Sequence, residues 1–183
     1  MNKLNIAIDC DNVLFHNDIP EQVISDLNIN ADISKIYQWE LDELGIAGKK
    51  ECYRRFKDPS YMCSLKPIWG NKQKIKEWHK QGHHLICVTS RDLKIYRETI
   101  DMIKLHYPEI KTIRMLGDYD KTCGIYDCDV VIDDSHHTVK QAMPLRRIKK
   151  IFFISNKNTP YNKDFKFRSK RVFKVEGIKD INI

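Results

Sequence analysis

The sequence predicts an α/β fold: a parallel sheet covered by helices, with a small helical segment inserted after the first strand. Three observations predict it. Short apolar runs recur along the chain, within Asn5–Phe15, His84–Arg91 and Asp129–Ser135, and each runs into polar groups suited to chemistry. From residue 66 onward these runs alternate with helical patterns, the mark of parallel strands joined by crossover helices. Residues 16–65 show helical periodicity and no convincing strand. The expected division is therefore an α/β core of residues 1–15 and 66–183, interrupted by a helical insertion over 16–65. At 183 residues the chain fits one domain of this kind and can bury a real core.

In chain order, the first strand runs into Asp9-Cys10-Asp11-Asn12, where the apolar run stops. A turn at a strand tip lets one carboxylate face a substrate while the next acidic residue offers its carbonyl or folds its side chain back. Two carboxylates this close repel, and they call for a divalent cation or a raised pKa on one of them. Taken alone, the stretch also reads as a strand with a polar turn.

Pro20 to Leu27 has the proline and the first-turn Glu21 of a helix start. Ala31 to Leu44 carries Ile33, Ile36, Tyr37, Leu41 and Leu44 at helical spacing, and Gly45 is expected to end it. A third helix is expected over Lys49–Phe56, with Asp58 placed to cap a further turn. Asn71–Gln81 is amphipathic, with Ile75 and Trp78 inward and Gly82 closing it. The strand His84–Arg91 ends in hydroxyls. A long helix, Leu93–His106, stops before Pro108. Strands follow at Thr112–Leu116, Asp129–Ser135 and Ile151–Ser155, a short helix at Ser135–Met143, and an edge strand at Arg171–Val175.

Composition narrows the class. With 42% hydrophobic and 31% charged residues, and no apolar run of membrane-spanning length, the chain reads as an ordinary soluble protein. It shows no signal-peptide pattern, so a cytoplasmic setting is expected. None of the six cysteines forms a C-x-x-C pair. Cys10 and Cys87 read as buried reduced thiols, and Cys123 and Cys128 lack a second pair to complete a zinc set. His83-His84 and His136-His137 lack the spacing of a helical metal pair. The net charge of +7 gathers in Arg146-Arg147-Ile148-Lys149-Lys150 and in Lys163–Lys174. Such stretches suit a phosphate-bearing partner, from a nucleotide to a nucleic acid, or form a solvated face.

In a parallel sheet the ligand site lies at the carboxyl ends of the strands. Asp9 and Asp11, Thr89 and Ser90, and Asp133 and Asp134 therefore converge on one edge. Together they describe a phosphate site, with one carboxylate to attack phosphorus or hold a metal, hydroxyls for phosphoryl oxygens and a lysine, Lys121, to neutralise charge. The acidic residues supply only oxygens, which suits Mg²⁺.

The order Asp-Cys-Asp-Asn-Val, Val-Thr-Ser-Arg, Lys121, Val-Val-Ile-Asp-Asp-Ser resembles the haloacid dehalogenase (HAD) superfamily of phosphotransferases, over nearly the whole chain. The Val-Thr-Ser-Arg form, the Ile-Asp-Asp ending and Thr159-Pro160-Tyr161-Asn162 are similar, more narrowly, to the cytosolic 5′(3′)-deoxyribonucleotidases and their bacterial and phage-type relatives. The resemblance implies a three-layer, Rossmann-like core, with residues 16–65 as the superfamily's small helical cap. It implies a Mg²⁺-dependent phosphomonoester hydrolase acting on nucleoside monophosphates. Asp9 would be the nucleophile, and Asp11 the acid/base whose carbonyl also binds Mg²⁺. Thr89, Ser90, Lys121 and the turn at Asn12 would hold the phosphoryl group. Asp134 would ligate the metal directly, with Asp133 sharing or supporting that role. The family usually has glycine where Asn12 stands. Asn tolerates a left-handed turn, but its side chain would narrow the space over the phosphate.

Phe15, Tyr37, Trp39, Tyr53 and Phe56 are candidates to stack on a base, or else pack the insertion's own core. Arg91 is a further candidate contact to substrate. Two other readings stand beside the nucleotidase. One is a phosphatase for sugar phosphates or nucleic-acid 3′ ends, and the other is a phosphate-binding regulatory protein without turnover.

Overall fold

The computed structural model describes residues 2–32 and 41–183. Six strands form its centre: β1 (Asn5–Ile8), β2 (His84–Thr89), β3 (Thr112–Met115), β4 (Val130–Asp133), β5 (Lys150–Ile154) and β6 (Val172–Val175). They make one sheet in the order β3-β2-β1-β4-β5-β6, with every neighbouring pair parallel. The order reverses direction at β1, which lies between β2 and β4. A crevice opens at such a reversal, beyond the carboxyl ends of the strands, and Asp9 follows directly on β1.

The sheet is buried on both sides, which is why its strands read as continuous apolar runs. Ile6, Ile8, Leu85, Cys87, Val130 and Ile132 fall in one hydrophobic cluster. The alternate residues Ala7, Ile86, Val88 and Val131 fall in the other. Helices α4 (Trp69–Lys80) and α5 (Tyr96–His106) cover the first face through Ile75, Trp78, Met102 and Ile103. The short helices α6 (Thr122–Ile125) and α7 (His136–Ala142) cover the second through Ile125, Val139 and Ala142. Each fully buried aliphatic or aromatic side chain contributes roughly 1.5–3 kcal/mol. Among the described residues, no helix is long and apolar enough to cross a membrane.

The stretch between β1 and α4 holds α1 (Ile19–Asp26), α2 (Gly45–Arg55) and α3 (Pro59–Met62). Asp58 caps α3, its carboxylate accepting from the Ser60 amide. The chain leaves and re-enters the core through a short paired ribbon. The His16 amide donates to the Lys66 carbonyl (2.9 Å) and the Ile68 amide to the Leu14 carbonyl (2.9 Å). The buried Tyr107 hydroxyl pins both arms by donating to the carbonyls of Leu14 (2.7 Å) and Ile68 (3.2 Å). Val23, Leu44, Cys52 and Met62 of the insertion share the hydrophobic cluster that covers the first face of the sheet.

Residues 33–40 lie outside the described residues, and with them most of the helix expected over Ala31–Leu44, including Tyr37 and Trp39. At its far end Gly45 closes a single 3₁₀ turn at Asp42–Leu44, as a helix-ending glycine should, and also opens α2 at once. Its backbone, at φ +66°, makes the sharp change of direction between the two, using the same left-handed freedom that closes helices elsewhere.

Candidate active site

The tip of β1 is a tight turn. The Cys10 carbonyl accepts from the amides of both Leu14 (2.9 Å) and Phe15 (3.0 Å), and Asn12 sits at φ 58°. The chain thus doubles back between Asp9 and Asp11, and the two carboxylates find different partners. Lys121, just ahead of α6, places its ammonium 2.7 Å from Asp9 Oδ1 and 2.9 Å from Asp133 Oδ2. Asp133 Oδ1 accepts from the Ser135 amide (2.7 Å). Asp134 Oδ2 accepts from the Tyr161 hydroxyl (2.7 Å) and from the Asn12 side-chain amide (3.1 Å). Asp11, one turn away, is held by Arg91 in a two-point ion pair, Nε at 3.0 Å and Nη2 at 2.8 Å.

Carboxylate oxygens of Asp9, Asp133 and Asp134 lie within 4.8 Å of one another, and all three residues are buried. Three buried carboxyl groups stand against the single ammonium of Lys121, an excess of two acidic groups in one cluster. Burial raises the pKa of Asp9 well above the ordinary carboxylate range; Lys121 opposes that rise, and Asp133 and Asp134 add to it. Asp134 is pushed up to about 7 by burial and then by Asp133, against the pull of the Tyr161 hydroxyl. For Lys121, burial lowers the pKa and Asp133 and Asp9 raise it, with a net rise. An all-oxygen pocket with two acidic groups in excess fits a divalent hard cation such as Mg²⁺.

These shifts carry a sign. In the cation-free protein the folded state holds protons on Asp9 and Asp134 more tightly than the unfolded chain does. For Asp134 that stabilisation is complete below the ordinary Asp value of 3.8 and is lost as pH rises through about 7. A cation competes with those protons. Addition of Mg²⁺ is therefore expected to raise the melting temperature by several degrees at pH 8 and by much less at pH 5.5. Equal shifts at both pH values would contradict the arrangement.

Other candidates fall differently. Thr89, Ser90, Arg91 and Lys121 all line one cavity with Asp9, Asp11 and Asp134. The Thr89 hydroxyl oxygen accepts from the Arg91 amide (3.3 Å), which leaves its own proton to donate. Arg91 is buried, and its guanidinium serves Asp11 instead of standing free for substrate. Asn12 also lines the cavity, but its donors are occupied. Its backbone amide donates to the Phe15 carbonyl (2.7 Å), and its side-chain amide donates to Asp134 and Tyr161. The left-handed turn aims that side chain at Asp134, so Asn12 braces a carboxylate where a phosphate contact was expected. Phe15 is corrected too. It is fully buried, packed edge-on to Tyr107 with ring centres 5.5 Å apart, and it does not line the cavity. Tyr53 and Phe56 do line it, joined by Leu41 and Met62.

Sequence reading missed Tyr161 and Asn162 as members of the site. Asn162, fully buried after Pro160, donates to the carbonyls of Asp134 and Ile154, and so ties the loop after β5 to the tip of β4. The signal was the Pro-Tyr-Asn run itself, a proline-fixed turn carrying two polar side chains directly after an apolar strand.

The model of the family described as 5′ nucleotidase, deoxy (Pyrimidine), cytosolic type C protein matches residues 3–175. Among solved structures, a HAD family hydrolase from Deinococcus radiodurans R1, with bound phosphate and sodium, is similar at a TM-score of 0.59 and 15% identity. That match covers 84% of this chain and 81% of that one. A dehalogenase is similar at a TM-score of 0.59 and 8% identity, covering 97% and 94%. Likeness at these identities speaks for the fold. No curated protein sequence matches the chain.

Proposed function

Because the chain belongs to this 5′ nucleotidase family, and is a phosphatase of the HAD type, we propose that it is a Mg²⁺-dependent nucleotidase, dephosphorylating nucleoside monophosphates through an aspartyl-phosphate. The observation that carries the reading is one cavity with two characters. Strand tips supply Asp9, Thr89, Ser90 and Asp134, the start of α6 supplies Lys121, and Leu41, Tyr53, Phe56 and Met62 supply an apolar wall. Its volume of about 460 Å³ suits a small phosphomonoester.

In the proposed chemistry, a carboxylate oxygen of Asp9 attacks phosphorus, and the bond from phosphorus to the nucleoside oxygen breaks. Asp11 gives that departing oxygen a proton. Asp11 then takes a proton from water, whose oxygen attacks the same phosphorus. Phosphate leaves and the Asp9 carboxylate is restored. To do either, Asp11 must loosen its two-point pair with Arg91. Lys121 and the Thr89 hydroxyl are placed to bind phosphoryl oxygens. Mg²⁺ bound among Asp9, Asp133 and Asp134 would offset the negative charge of the incoming phosphate.

Residues 16–65 serve in this proposal as a cap over the site, setting specificity while the strand tips set chemistry. The family description names a cytosolic type, and a cytoplasmic setting belongs to the same proposal, supported by six cysteines that form no disulfide.

A panel of 5′ and 3′ nucleoside monophosphates, sugar phosphates and a 3′-phosphorylated oligonucleotide tests the reading. Nucleotides are expected to give the highest kcat/KM, and a sugar phosphate or the oligonucleotide in that place would sink it. The wall can be tested separately. Tyr53→Ala is expected to lower kcat/KM for nucleotides about tenfold more than for a small aryl phosphate, as loss of one stacking ring should. Equal losses on both substrates would make the ring structural.

A further inference from the structure

We propose that a basic strip formed by residues 140–174 is a binding surface for the phosphate backbone of a nucleic acid, separate from the catalytic cavity. This goes beyond the nucleotidase reading and does not depend on it.

Charge is unevenly placed along the chain. Residues 140–174 hold 12 lysines and arginines and one acid, Asp164, a surplus of 11 where the whole chain has +7. The other residues hold 20 bases against 24 acids, a deficit of 4. The fold joins the two basic stretches into one surface. Phe165 and Phe167 turn inward, their ring centres 6.4 Å and 5.1 Å from that of Phe153 on β5. Exposure alternates along this segment, so Lys166, Arg168 and Lys170 stand outward. Lys140, exposed on α7, lies over the Phe165 ring at 5.7 Å. At the far end of the segment Arg171 donates to the carbonyls of Met143, Leu145 and Ile148. That holds the turn carrying Arg146 and Arg147 alongside.

Cations elsewhere are paired. Arg54 meets Glu51 and Arg55 meets Asp26 in the insertion, and Lys74 meets Glu77 on α4. In the strip, Arg146, Lys157, Lys163, Lys166, Arg168 and Lys170 are exposed and form no ion pair among the described residues. Like charges gathered without acids between them repel, and a polyanion relieves that repulsion while releasing its own counterions. The charges are strung along a segment and do not converge on a point, which fits repeated phosphates better than a single one. An anionic bilayer is the other extended polyanion, but a surface that lies on lipid inserts apolar side chains as well. Within residues 140–174 the one large apolar side chain exposed is Phe173, and its ring leans on Phe152 with centres 5.5 Å apart. Contacts to a phosphate backbone carry no sequence information, so binding is expected to be indifferent to sequence.

The test measures fluorescence anisotropy of a labelled DNA of about 20 nucleotides with hydroxyl ends, and co-sedimentation with vesicles of phosphatidylcholine and phosphatidylserine. Wild type is expected to bind the DNA with a micromolar Kd at low salt, and to weaken tenfold or more between about 50 and 200 mM salt. Lys166→Glu, Arg168→Glu and Lys170→Glu are then combined in one variant. Its control combines Lys76→Glu, Lys80→Glu and Lys104→Glu, an equal change of charge on exposed lysines of α4 and α5. The strip variant should bind DNA at least tenfold more weakly than the control, with both melting as wild type does. Equal losses in the two variants would reduce the effect to net charge and overturn the proposal. Absence of DNA binding by wild type at low salt, or tighter binding to vesicles than to DNA, would overturn it too. Should the reversed strip fail to fold, the same three positions changed to alanine decide. That variant must bind more weakly than the control positions changed to alanine, and equal affinity sinks the proposal. The nucleotidase reading stands or falls on the substrate panel, whatever these measurements give.

Discussion

Asp9→Asn is expected to lower turnover by a factor on the order of 10⁴ or more while the protein stays folded. An amide cannot attack phosphorus, so the loss should appear in kcat for every substrate. Folding is spared because the change removes one of three crowded carboxylates, and Lys121 keeps its 2.9 Å pair with Asp133. Rapid quenching with labelled substrate should trap protein-bound phosphate in wild type and none in the variant. Near-normal hydrolysis by Asp9→Asn would end the aspartyl-phosphate mechanism and leave attack by activated water. Asp11→Asn is a less clean probe. Its carboxylate is the ion partner of Arg91, and the substitution leaves a buried guanidinium without a counter-charge. Its kinetics must therefore be read beside its melting temperature.

Removal of divalent cations is expected to reduce activity below about 1% of its starting level, with recovery on adding Mg²⁺. Asp9, Asp133 and Asp134 share one ammonium, so without a cation the pocket holds protons in its place. A protonated Asp9 is no nucleophile, and where those protons are lost the unneutralised carboxylates repel a phosphate dianion. Activity of the metal-free enzyme equal to that of the loaded one would contradict the site as built. Zinc should restore less than Mg²⁺, because the three carboxylates offer no nitrogen or sulfur.

The strands and their polar tips were legible because burial on both faces forces unbroken apolar runs, and a carboxylate or hydroxyl ending such a run is conspicuous. Lys121 ends no strand, and only the order of the motifs pointed to it. Pairings were not legible. That Arg91 holds Asp11 depends on β2 lying beside β1, a neighbourhood the local pattern does not encode. That Asn12 spends its donors on Asp134 and Tyr161 follows from a loop arriving some 150 residues later in the chain. Phe15 and Tyr53 are both aromatic residues near polar ones, and only packing shows that the first is sealed behind Tyr107 and the second faces the cavity. Gly45 ends a helical turn as expected, but a left-handed glycine marks a change of direction without saying that the next helix starts at the same residue.

The strand order also bears on how the enzyme comes into being. β1 is the first strand to be made and one of the two central ones in the finished sheet, with Asn5 waiting for His84 and Ile6 for Val130. Pairings so distant in sequence form late and slowly. On the ribosome the strand that ends at Asp9 therefore stays unpaired while the whole insertion is synthesised, and its apolar edges need shielding during that time. The brace on Asp134 arrives later still, with Tyr161 and Asn162. A nascent chain therefore has no working pocket until the loop after β5 has emerged, and any chain cut short before that loop is inert.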